Sequence, residues 1–187
     1  MTEQIQSRNK VEFVGVEDKD CEQAVTAALD ALEKKLGRTF KLLSGFTFII
    51  GGTGEPKQGG EVDFIHKDVR FNARDNKMSI QQAEDYLVTR GLLETCDWTE
   101  VAPQIKDLPW SSLQMGIIHE SGHIVDKLLP GPAYERMDVA LGPTKYGREK
   151  GTHEAFAEAF TYWIFDAELS DEARKIVETT IKKWGDL

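Results

Sequence analysis

The run His119-Glu120-Ser121-Gly122-His123 sets two imidazoles four residues apart with a carboxylate between them. On a helix, residues four apart lie one turn apart on one face, so both rings can reach a single metal ion. Neutral imidazole suits zinc, at a nitrogen–metal distance of about 2.0–2.1 Å. Glu120, one position past the first histidine, projects beside such an ion rather than onto it, where it can take a proton from a water activated there. Ile117, Ile118, Ile124 and Val125 flank the motif and make the helix apolar nearly all round, which predicts a central element. Two histidines and a glutamate in such a helix need a partner. The plain alternative is a chance match of five residues, with the histidines hydrogen-bonded in an ordinary core.

A zinc site needs a third ligand. The extended HExxHxxGxxH pattern is excluded, because its later positions hold Asp126 and Leu129. Cys96 lies upstream of the motif but without the glycine–cysteine context that would suit a ligand. The segment Thr152-His153-Glu154-Ala155-Phe156-Ala157-Glu158-Ala159-Phe160 offers glutamates. At helical spacing Phe156, Phe160, Trp163 and Ile164 share one apolar face, and Glu154 and Glu158 project from the opposite side. Ala155, Ala157 and Ala159 would let a neighbouring helix come close. Glutamates so spaced on their own read as a solvated face. With the HExxH motif upstream, the economical arrangement makes Glu154 the ligand and Glu158 the residue that orients a histidine. His153 is a rival ligand that points about 100° away from Glu154 around the helix.

The string His119-Glu120-Ser121-Gly122-His123-Ile124-Val125-Asp126, then Tyr146-Gly147-Arg148, then Glu154-Ala155-Phe156-Ala157-Glu158-Ala159-Phe160 resembles the anthrax lethal factor-like zinc metallopeptidase domain family. That family is of gluzincin type and includes pro-pro endopeptidases and phage- and prophage-associated relatives. The likeness spans residues 111–165. It implies a zincin-like fold with a small mixed sheet, an active-site HExxH helix and a second, glutamate-bearing helix. It implies Zn2+ as cofactor, with His119, His123 and Glu154 as ligands and Glu120 as general base. Tyr146 is then the hydroxyl that stabilises the tetrahedral intermediate, and Glu158 and Asp126 are supporting residues. The substrate is a peptide or protein, and an edge strand near the ion pairs with it; the segment Val62 to Phe71 is the candidate for that strand. The rival function is a non-catalytic, zinc-stabilised binding module of a phage or toxin assembly.

The elements that must hold these groups are legible in part. Val25, Ala28, Leu29, Leu32 and Leu36 recur at helical spacing and predict a helix from Cys21 to Leu36, stopped by Gly37. Thr39 to Ile50 reads as a strand with a break at Ser44-Gly45, followed by a glycine-rich loop over residues 51–60. One or two short strands then surround a turn at His66-Lys67-Asp68. Ser79 with Gln82, and Ser111 with Gln114, have capping-box spacing. The first opens a helix to Thr89, the second the HExxH helix to Leu128. Pro130, Pro132 and Pro143 predict a long irregular connection that contains Tyr146. Thr152 is expected to cap a helix to Glu168, and Ser170 a last one to about Trp184. A helix, then strands, then helices read as α+β in a single domain over residues 19–187, preceded by an arm over 1–18 whose apolar stretch near Val11 allows a first strand.

Composition bounds the partners. The 187 residues carry 23 Lys and Arg against 32 Asp and Glu, a formal charge of −9, so nucleic acid and anionic membranes are disfavoured. No apolar run approaches the ~18 residues of a membrane span, and the N-terminus lacks the apolar stretch of a signal peptide. Two cysteines, Cys21 and Cys96, are too few for a disulfide framework. These features predict a chain that is cytoplasmic as synthesised, with delivery by a virion or by non-classical export open to it.

Overall fold

The computed structural model describes residues 9–51, 59–91, 98–128 and 136–185. The first strand, β1 (Lys10–Phe13), leads into α1 (Lys19–Leu36). The Asp18 carboxylate caps α1, accepting from the backbone N–H of Asp20 and Cys21, and Gly37 ends it with φ 55°. Cys21, Ala24, Val25, Ala28, Leu32 and Leu36 form its buried face, as their three- and four-residue spacing predicts. The strand expected over Thr39–Ile50 is shorter than its composition suggests. Gly37–Gly45 winds as a 3₁₀ helix, and only Thr47–Ile50 is extended, as β2. Phe40 and Leu43 are both buried and stand three residues apart, the period of a 3₁₀ turn.

Two short strands follow, β3 (Gly60–Asp63) and β4 (Asp68–Phe71). The turn between them is held by Asp63, whose Oδ1 accepts from the N–H groups of Ile65 and His66. The sheet runs β1-β2-β4-β3, with β1, β2 and β4 parallel and β3 antiparallel on the outer edge. The segment expected to supply an edge strand thus divides: β3 is the edge, and β4 lies inside the sheet. Phe48, Ile50, Val69 and Phe71 alternate with less buried residues and form the core face.

The helices α2 (Ala73–Asn76), α3 (Ile80–Thr89), α4 (Trp98–Val101), α5 (Ser111–Leu128), α6 (Lys145–Lys150), α7 (Thr152–Ile164) and α8 (Asp171–Gly185) complete the α+β fold. The Ser79–Gln82 capping box forms and opens α3. The Ser111–Gln114 box does not. Trp110, at φ 62°, makes the turn into α5, and Ser111 Oγ accepts instead from the Ile80 N–H at 2.9 Å. Thr152 is likewise the first helical residue rather than the cap, a place taken by Gly151 at φ 114°. Helix α7 ends at Ile164, short of Glu168, because Asp166 adopts φ 56° and turns the chain, where it pairs with Lys35.

Helix α5 lies at the centre and packs against α1, α7 and β3. Among the described residues no helix is long and apolar enough to cross a membrane. The segments 1–8, 52–58, 92–97, 129–135 and 186–187 lie outside the described residues, and with them Cys96, most of the glycine-rich loop, Pro130 and Pro132.

Candidate metal centre

Helix α5 is buried on nearly every side, and its one-turn spacing turns His119 and His123 toward α7. Close approach of the two helices is possible because the contact is built from small residues. A Cβ on Gly122 would stand 3.1 Å from the Cα of Ala157 and 3.1 Å from the Phe160 ring. The expectation that the alanines of α7 admit a neighbouring helix is met at this point.

Across that contact, Glu154 Oε2 lies 3.1 Å from Nε2 of His119 and 3.4 Å from Nε2 of His123, while the two Nε2 atoms are 3.1 Å apart. Two imidazole nitrogens this close repel unless a proton or a cation lies between their lone pairs. Tetrahedral ligands at zinc distances of about 2.0–2.1 Å would stand roughly 3.3 Å apart, so the triangle fits such an ion in size as well as in donor type. Among the described residues, these three form the group whose ligand atoms all fall within 4.8 Å of one another.

Glu158, one turn beyond Glu154, is fully buried and has its Oε1 3.0 Å from Nδ1 of His119. Its other oxygen accepts from the Trp98 indole N–H at 3.1 Å. No sequence signal marked Trp98, which stands sixty residues from its partner in a segment without clear periodicity.

Asp126 is also fully buried, with Oδ2 3.2 Å from Nδ1 of His153. The His153 ring lies 4.0 Å from that of His123. His153 therefore sits beside the triangle rather than in it, and it gives Asp126 one route to the three candidate ligands.

Burial disfavours charge on His119, but Glu154 and Glu158 outweigh it and hold this imidazole well above its usual pKa. His123 goes the other way, pushed down to about 4 by burial, with the neighbouring His119 adding to the shift. Burial would raise the Glu154 carboxyl, yet its contacts with both imidazoles hold it well below the ordinary carboxylate range. Glu120 is raised by burial, and by the negative charge of Glu154.

The triangle opens on a cavity of about 230 Å³ lined by Gly60, Val62, Phe64, Glu120, Tyr146 and His153 besides the three candidate ligands. Glu120 points toward β3: a Cβ on Gly60 would stand 3.0 Å from Glu120 Oε1 and 2.9 Å from the Phe71 ring. Tyr146 is in α6, not in the irregular loop expected from the prolines. Thr144 caps that helix by accepting from the Gly147 N–H at 2.9 Å. The Tyr146 ring stands 6.5 Å from that of His119, centre to centre.

Compared with protein-family models, with curated proteins and with solved structures, the chain matches none.

Proposed function

We propose that this protein is a zinc-dependent endopeptidase, a zincin-like domain of the gluzincin, lethal factor-like type. The observation that carries the reading is the convergence of His119, His123 and Glu154 at a cavity that also holds Glu120 and Tyr146. A zinc site serving only to stabilise a fold closes its coordination with protein ligands and needs neither an adjacent carboxylate nor an open approach. This favours catalysis over a zinc-stabilised binding module.

In this reading His119, His123 and Glu154 hold Zn2+, which when bound supplies a Lewis acid for the scissile carbonyl and acidifies water. Glu120 takes the proton of the attacking water and later delivers it to the leaving amine as the C–N bond breaks. A carboxylate whose pKa is raised by burial is a better base than an exposed one, which suits that task. The Tyr146 phenol donates to the oxyanion that forms on the former carbonyl. Glu158 orients His119 through its second ring nitrogen. Strand β3 borders the cavity with one edge unpaired among the described residues, so an extended substrate can add to it as a further strand.

Digestion of a randomised fluorescence-quenched peptide library, with and without a chelator, tests the proposal. Cleavage that the chelator abolishes and added zinc restores is expected. Stoichiometric zinc with no cleavage of any peptide would return the chain to the binding-module reading.

A further inference from the structure

The fully buried Glu158 carboxylate meets two groups from distant parts of the chain. Oε1 faces Nδ1 of His119 at 3.0 Å, and Oε2 accepts from the Trp98 indole at 3.1 Å. A glutamate side chain has three rotatable bonds, and inside a protein the hydrogen bonds at its tip decide how the carboxylate plane is turned. An indole N–H can only donate. With Oε2 engaged there, Oε1 is the oxygen turned toward His119, 3.0 Å from Nδ1, and among the described residues no hydrogen bond satisfies either of these two buried atoms. Donation from Nδ1 to that oxygen, reached by a small turn of the ring, would keep the imidazole proton on Nδ1 and free Nε2 to bind an ion held with Glu154 and His123.

Trp98 is itself anchored. It opens α4, and the next residue, Thr99, donates both its backbone N–H and its hydroxyl to Glu84 of α3, at 2.9 and 2.8 Å. Glu84 is buried, so this clamp fixes the start of α4 where the indole must reach inward. A continuous set of contacts thus runs from α3 through α4 and α7 to a candidate ligand on α5.

We infer that Trp98 is a positioning residue of the metal centre, acting through Glu158 to hold the tautomer and orientation of His119. The inference rests on the proposed zinc site. It adds a residue that is neither a candidate ligand nor one of the residues lining the cavity.

The test is zinc affinity, measured by chelator competition on the full chain. Trp98→Phe keeps a large ring and removes the donor, and should weaken zinc by about tenfold, the lower end of the range for partners of a ligand. In a Glu158→Ala background the same substitution should cost nothing further, because the path it acts through is gone. A residue that merely packs would lower the melting temperature of the metal-free chain and leave the affinity unmoved. Unchanged affinity, or an equal loss in both backgrounds, overturns the inference.

Should Trp98→Phe fail to fold, the indole proton of the wild-type chain gives the answer by NMR. It should exchange slowly with solvent, shift on zinc addition, and lose its protection in Glu158→Ala. Exchange as fast as that of free indole overturns the inference. A wild-type chain that binds no zinc overturns this inference and the proposed metal site together, whereas zinc binding indifferent to Trp98 overturns this inference alone.

Discussion

The floor and the wall of the cavity are made in different ways. The floor is the contact of α5 with α7, where Gly122 meets Ala157 and Phe160 and where His119, His123 and Glu158 are all buried. The wall is β3, the short helix α6 and His153, partly exposed and carrying the groups that face the open space. Close packing allows few arrangements of the floor side chains, so their geometry is over-determined. The wall, an edge strand and one and a half turns of helix, has room for a substrate to take part in the packing. Floor residues should therefore govern metal and stability, and wall-facing residues should govern turnover.

The largest effect is expected from breaking the triangle. His123→Ala or Glu154→Ala should abolish stoichiometric zinc and all chelator-sensitive cleavage, as should dialysis of the wild-type chain against a chelator. Metal analysis of each variant checks this. Retention of full zinc by Glu154→Ala would move the third ligand elsewhere.

Glu120→Gln probes the side of α5 that faces the wall. It should keep zinc and fold while lowering kcat by about 10²–10⁴-fold, because an amide cannot accept the proton. Tyr146→Phe should likewise keep zinc content and melting temperature but lower kcat by about 10²–10³-fold, the scale for one oxyanion donor. Loss of zinc in either variant would erase the division between floor and wall.

Smaller effects sharpen the comparison. Glu158→Ala should weaken zinc by about 10–100-fold in a chelator competition without abolishing it. Gly122→Ala drives a methyl group into the α7 backbone and should cost about 1–3 kcal/mol. Thermal melting would register this as a fall of roughly 2–4 °C per kcal/mol.

Much of the fold was legible because its signals are local. The buried face of α1 follows from apolar residues three and four apart, the start of α3 from Ser79 and Gln82, and the β3–β4 turn from the polar run at His66-Lys67-Asp68. The failures occurred where local and distant partners compete. Ser111 has the right neighbour for a capping box, but it serves the Ile80 N–H because α3 packs beside it. Phe40 looks like a strand residue until Leu43, one 3₁₀ turn on, shares its burial. Tyr146 looked loop-bound because the prolines before it mask the capping role of Thr144.

By itself, then, the sequence determined which groups stand one helical turn apart: His119 with His123, and Glu154 with Glu158. Helical pitch is a property of the backbone and needs no tertiary partner. Only the tertiary structure decided that Glu154 meets both imidazoles, that Gly60 brings β3 against Glu120, and that Trp98 reaches Glu158. Those contacts join segments far apart in the chain, and only the packing of helix on helix and helix on sheet brings them within hydrogen-bonding distance.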